Sequence, residues 1–333
     1  MDIEYHYYIT FIIALRAGFK KDEAYKIAYS SQYTDDNDTL YRINEGLDDM
    51  YENYISQTMD ITKPREERLR IYPVFHFMPG TPDEIWKSSP DRKDGKLHLL
   101  NTIPNNRNAV SLLNDALTSK NHYRIGIATH MFADTFAHQN FVGFKDEFNA
   151  MEGFLQGLLP NIGHADAKYQ PDIPNLLWKD MRLTSKNRAR NNKVIFLSAT
   201  EFIFDQYCSF TKPAKPEAAR EKLLADIGNA IGKEAEADTN KMRSQRHKSY
   251  RDLLRDSFIE YNEDDWFNEA VRYESDASTI GTSNVKTLYF LKDGFRNSDW
   301  HHFQEAVKEH QSKAEEILKP TLNRMEVAKI SNW

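Results

Sequence analysis

Three residues spaced four apart dominate the chemistry this chain can carry. In the run Gly126-Ile127-Ala128-Thr129-His130-Met131-Phe132-Ala133-Asp134-Thr135-Phe136-Ala137-His138, the residues His130, Asp134 and His138 stand at i, i+4 and i+8. On an α-helix each such step drifts only about 40° off line, so all three side chains leave one stripe. Imidazole and carboxylate are ligands for divalent metals such as zinc. A polar stripe facing water is the plain alternative. It fits poorly, because the neighbours are small or apolar and such groups are costly in an apolar setting unless paired or metal-bound.

Other residues gain meaning beside this stripe. His6 lies in Tyr5-His6-Tyr7-Tyr8 and His76 in Phe75-His76-Phe77, both apolar surroundings. Asp35 and Asp36 close a predicted helix, and His164 follows Gly163 with Asp166 and Asp172 nearby. A lone histidine on an apolar face is usually a satisfied core residue; several beside a His-Asp-His stripe point to a shared site. His98, His122, His247, His301, His302 and His310 have polar, charged or turn-like neighbours and read as surface residues. The single cysteine, Cys208, excludes an intramolecular disulfide and a thiolate-rich metal site. Residues 179–193 add Arg182, Lys186, Arg188 and Arg190; Arg182 and Arg188 are candidates to neutralise a phosphate. A solvated helix start is the other reading of that segment.

The elements that must position these residues are helical by periodicity, and the expected fold class is all-α. Helices are predicted over residues 5–17, ending at Gly18, and over 22–33, 39–58, 106–118 and 122–144. Residues 193–210 are apolar on nearly every side and predict a buried central helix. A charged hairpin is expected over 214–256, and a last helix over 299–318, before Pro320. The composition shift after Pro213 divides the chain into a metal-binding core, 1–212, and a charged helical extension, 213–333, packing on or lidding it. The chain has 333 residues, 40% hydrophobic and 28% charged, with a net charge of −6. That balance argues against a general nucleic-acid binder. The longest apolar run is too short to span a bilayer and lacks a signal peptide's basic start, so the expected location is cytoplasmic, with signal-free secretion left open.

The order His6, Asp35, His76, His130, Asp134, His138, His164 resembles the superfamily of zinc-dependent phospholipases C and fungal single-strand nucleases. It is similar, more closely, to uncharacterised bacterial relatives that open with an aromatic His-Tyr-Tyr helix followed by a Ser-Gln-Tyr-x-Asp-Asp segment, here Ser31 to Asp36. The resemblance covers residues 1–175. It implies a multi-helix bundle holding two or three zinc ions that hydrolyses phosphoesters. It further implies that Asp35 (or Asp36), His76, His130 and Asp134 hold one ion. His138 and His164 with Asp166 or Asp172 would hold a second, and His6 and Asp134 would share a third with the Met1 amine, or with Asp2 or Glu4 as substitutes. Asp134 and Asp35 would be the carboxylates at the reacting centre.

These readings converge on a metal-dependent phosphoesterase whose phosphoester substrate class is open. A helical protein with a structural metal and an HD-type phosphohydrolase are the alternatives; the second lacks its adjacent His-Asp pair.

Overall fold

The computed structural model describes residues 1–46, 49–58, 69–88, 92–144, 147–149, 169–275 and 287–325. Helices make up well over half of them. A π-helical turn, Glu4–Ile9, runs into α1 (Thr10–Arg16), which stops at Gly18 in the left-handed conformation at φ +99°. Next come α2 (Lys21–Asp36) and the strands β1 (Arg42–Gly46) and β2 (Asp49–Glu52). A second π-helical turn, Tyr72–His76, leads to α3 (Pro82–Ser88), α4 (Arg107–Ser119) and α5 (His122–Ala137). The strands β3 (Leu177–Lys179) and β4 (Ala189–Asn191) precede α6 (Asn192–Thr211), α7 (Pro216–Ile231) and α8 (Asn240–Leu254). The chain continues through α9 (Asp265–Ala270), β5 (Val271–Ser275), β6 (Thr287–Leu291) and α10 (Asp299–Arg324).

The axis of the molecule is α5, buried from Arg124 to Ala137 and packed against α2, α4, α6 and α10. Its start is set by Asn121, whose side chain accepts from the backbone N–H groups of Tyr123 and Arg124. The contact with α2 is unusually close. A Cβ built on Gly126 would stand 2.4 Å from the Ile27 carbonyl oxygen and 2.5 Å from Ser30 Cβ. Gly126 is therefore what lets the two helices meet.

Several expectations are corrected. Residues 39–58 are not a helix: β1 and β2 pair there, in a four-stranded sheet of order β2-β1-β6-β5. β1 runs parallel to β6, matching Ile43 with Tyr289, a partner near the other end of the chain that local periodicity cannot reveal. "All-α" is thus too narrow for a mainly helical fold that carries this sheet and the β3–β4 ribbon. That ribbon replaces the helix start expected over 179–193. α6 is buried on one face only, with Val194 57% and Phe202 39% exposed. α10 continues through Pro320 to Arg324.

The composition shift after Pro213 marks no break in packing. Leu223, Ile227, Tyr250, Trp266, Trp300 and Val307 belong to the same hydrophobic core as Met1, Tyr5 and Ile13. Arg246 on α8 donates to both carboxylate oxygens of buried Glu4 at 2.7 Å. Tyr29 on α2 stacks on Trp266 at 3.9 Å and its hydroxyl donates to the Asn262 carbonyl. Among the described residues no helix is long and apolar enough to cross a membrane, and Cys208 is buried without a disulfide.

His310, expected at the surface, is fully buried in α10. Its ring stacks on Phe75 and its Nε2 lies 3.3 Å from the Val74 carbonyl oxygen. Burial, reinforced by the Arg124 guanidinium, lowers its pKa to about 3.

Two predictions follow from this packing. Alanine is the better helix former by about 1 kcal/mol, but overpacking a close contact costs about 1–3 kcal/mol, and here the obstacle is the α2 backbone. Gly126→Ala should therefore lower the denaturation midpoint; an unchanged or raised midpoint would show that α2 yields freely. For His310, the unfolded chain takes up a proton near pH 6.5 while the folded one waits until about pH 3. The stability from a neutral buried ring is thus complete above pH 6.5 and lost as pH falls through that window. Between pH 7 and 5 the wild type should lose about 2 kcal/mol more than His310→Gln in denaturant titrations, and parallel profiles would contradict this.

Candidate metal centre

The stripe on α5 is the floor of the site. His130 and Asp134 project from the helix and His138 caps its end. Asp35 comes from the last turn of α2, and His6 and His76 each come from one of the two π-helical turns. Such widened turns recur at functional sites, because the extra residue re-aims a side chain. A short turn, Gln170–Asp172, supplies Asp172. All are buried apart from Asp35, whose side chain is 27% exposed.

The ring orientations decide what these groups can do. His130 Nδ1 lies 2.7 Å from the Ser31 carbonyl oxygen and His76 Nε2 3.0 Å from that of Ser56. A carbonyl only accepts, so both of those nitrogens carry the proton. In the neutral rings, His130 Nε2 and His76 Nδ1 are then lone-pair nitrogens, and they face each other at 3.0 Å. Two acceptors at that distance need a proton or a cation between them. Asp35 Oδ1 stands 3.7 Å from His130 Nε2 and 3.6 Å from His76 Nδ1, and Asp134 Oδ2 stands 3.4 and 3.5 Å from the same two atoms. A regular tetrahedron around a zinc ion with nitrogen or oxygen arms of 2.0–2.1 Å has edges of about 3.3–3.4 Å. His76 Nδ1, His130 Nε2 and Asp134 Oδ2 are spaced on this scale and form one candidate three-ligand group, while His6, Asp35 and His130 form a second.

Both carboxylates reach beyond that group. Asp134 Oδ1 accepts from the Met1 amine at 2.5 Å and lies 3.2 Å from His6 Nε2. Asp35 Oδ2 lies 4.0 Å from the same nitrogen. His6 stacks on His130 at 3.8 Å, and neither of its buried ring nitrogens has a hydrogen-bond partner. On the remaining side, His138 Nδ1 lies 2.9 Å from the His76 carbonyl oxygen, which turns its Nε2 toward Asp172 Oδ1 at 3.4 Å. Asp172 Oδ1 is also 3.2 Å from the Met1 amine. Three groupings thus share Asp134, Asp35 and the amine.

The charges are held against desolvation. Burial alone would raise the Asp134 pKa, but His138, the amine, His130 and His6 together hold it well below the ordinary carboxylate range. The same surroundings raise the amine to about 11 despite burial, chiefly through Asp134. Burial lowers His6 to about 4, with His130 and the amine adding to the effect. Formally, three carboxylates face one ammonium, an excess that favours cations.

The structure also separates the alternatives left open by the sequence. Asp36 accepts from Tyr261 at 2.6 Å and from Gln32 at 3.0 Å, so Asp35 is the carboxylate that joins the cluster. Glu4 is committed to Arg246, and Asp2 Oδ1 accepts from the Glu4 backbone N–H, leaving the Met1 amine as the group beside Asp134. His164 and Asp166 lie outside the described residues. Asp172, adjacent to His138, is a carboxylate the sequence flagged only by proximity. Arg182 is not available to a phosphate: its buried guanidinium is paired with both oxygens of Asp180 and with the Asn140 carbonyl. Arg188 donates to Met181 Sδ at 3.7 Å and contacts no cluster residue among the described ones. Where Asp35 reaches solvent, a cavity of about 280 Å³ opens, lined also by Tyr33, Asp36, Asp38, Glu263 and Asp264.

No curated protein and no solved structure matches the chain. A family model matches residues 1–318, spanning the elements that build the cluster and the helices that brace them. The chain therefore belongs to DUF6765, a family of unknown function.

Proposed function

We propose that this chain is a divalent-metal-dependent phosphoesterase with zinc as the metal, built on a bundle of the phospholipase C and nuclease type. The observation that carries the reading is the group His76 Nδ1, His130 Nε2 and Asp134 Oδ2, three ligands that leave a tetrahedral ion one open position. The order of these ligands along the chain supports the likeness of fold. Asp134 would join this set to the group formed by His6 and the Met1 amine, while His138 and Asp172 would complete a third. When bound, two or three divalent ions supply a lowered water pKa and stabilisation of charge on a phosphoryl centre.

The protein's own part is orientation and proton handling. The Ser31 and Ser56 carbonyls fix the tautomers of His130 and His76, which aims their lone pairs inward. Asp35, at the solvent-facing mouth, orients incoming water and can accept its proton. The burial of His6, His130 and Asp134 also suits a purely structural metal, which protein ligands enclose on all sides. The exposure of Asp35 beside a cavity favours the catalytic reading.

The experiment pairs metal analysis with hydrolysis of bis(p-nitrophenyl) phosphate by untagged protein. The wild type should carry zinc and lose activity to a chelator. Asp134→Ala should lower metal content and cut activity by more than the roughly 10–100-fold typical of an outer-shell partner. Lys248→Ala, an exposed control on α8, should change neither. Full activity in Asp134→Ala would remove the cluster as the catalytic centre; bound zinc with no hydrolysis of any phosphoester would favour the structural reading.

A further inference from the structure

A second cavity, of about 440 Å³, lies where the chain leaves α5 and meets the β3–β4 ribbon. Gln139 and Asn140 line it from the end of α5, Ser88 from α3, Lys186 and Asn187 from the ribbon's loop, and Arg190 from β4. Among the described residues no carboxylate lines it, although the chain as a whole carries a net charge of −6. The cavity at Asp35 has the reverse character, with five acidic side chains and no cation among the described residues.

Arg190 gives this cavity its chemistry. Its backbone is held in the ribbon opposite Trp178, and its Nη2 is shut off from solvent with no acceptor from the protein. Asp180 is the acid whose charge acts on Arg190, but both Asp180 oxygens are taken by Arg182, at 2.9 and 2.6 Å. Two guanidinium groups thus compete for one carboxylate, and Arg190 is left over. An unsatisfied buried donor costs about 1–3 kcal/mol, more when charged; that Nη2 lies behind the cavity wall, and a ligand meets the rest of the Arg190 side chain, which lines the cavity. The cationic side chains of Arg190 and Lys186 favour the negative oxygens of a phosphate or carboxylate. A volume of this size lies within the roughly 300–1,000 Å³ of small-molecule sites, so it holds more than a bare ion.

We propose that this cavity is a binding site for a small-molecule oxyanion, gripped by Arg190 and Lys186 and surrounded by the amides of Gln139, Asn140 and Asn187. The site stands on these residues alone and does not depend on the metal reading. Arg182 and Arg188, the arginines that sequence position brought forward, give way to Arg190 and Lys186. The reason is that Arg182 is already neutralised by Asp180.

The test is calorimetric titration of the purified full chain with inorganic phosphate and with citrate, which separates a phosphate from a carboxylate preference. Either probe should bind the wild type, and Arg190→Met should weaken it at least tenfold while Arg190→Lys retains part of the affinity. Lys186→Met, at an exposed position that does not threaten folding, should weaken it several-fold. Asp35→Asn, at the partly exposed mouth of the cluster, should leave this binding intact, because the metal cluster is a separate site. Absence of binding by both probes, or unchanged affinity in Arg190→Met and Lys186→Met, would overturn the proposal. So would binding lost in Asp35→Asn and kept in the other two variants, which would place the oxyanion at the cluster.

Discussion

The structure depends on the burial of one carboxylate. Asp134 is 1% exposed, and an isolated ionised carboxylate in such a place would cost several kcal/mol. It is tolerated because each of its oxygens is met from a different direction. The Met1 amine and His6 face Oδ1, while His76, His130 and His138 face Oδ2. These partners come from the N-terminal turn, the Tyr72–His76 turn and α5 itself, so satisfying one charge obliges distant segments to converge.

Convergence sets tight packing terms. The α2–α5 contact must be close enough for the Ser31 carbonyl to accept a hydrogen bond from His130 Nδ1–H and for Asp35 to reach the rings. Gly126 supplies that closeness by having no side chain. The same device recurs at Gly143, where a Cβ would lie 2.8 Å from Pro73 N. There it brings the second π-helical turn, with His76, against the end of α5. Helical stability and site geometry are thus the same contacts seen twice.

The C-terminal half acts as a brace for these elements. Arg246 grips Glu4 two residues before His6, Tyr261 holds Asp36 beside Asp35, and Gln304 binds both the Asn37 side chain and the Tyr54 backbone. Tyr261 and Arg246 therefore settle where the neighbours of the candidate ligands point, without touching the cluster. The two cavities of opposite charge share no lining residue, one opening at Asp35 and the other lined by Gln139 and Asn140 just past His138. On the proposed readings a ligand with a cationic part and one with an anionic part would meet different surfaces.

Much of the candidate site was legible because helical periodicity is local. The i, i+4, i+8 spacing of His130, Asp134 and His138 places them on one stripe whatever the surroundings, and the apolar neighbours of His6 and His76 marked them as buried. Most helix positions followed from the same signal. The choice of Asp35 over Asp36 was beyond it, because the deciding partner, Tyr261, comes from a distant segment. The parallel pairing of β1 with β6 was hidden for the same reason, and residues 39–58 were misread as a helix. His310 has polar sequence neighbours yet is buried, since only the packing of α10 onto the Phe75 turn determines its surroundings. Arg182 and Arg190 look alike in the sequence, and only the capture of Asp180 by the first leaves the second unpaired. The sequence by itself determined residue type, helical face and therefore the kind of chemistry available. Tertiary structure decided which partner each polar group found, because that depends on contacts between residues far apart in the chain.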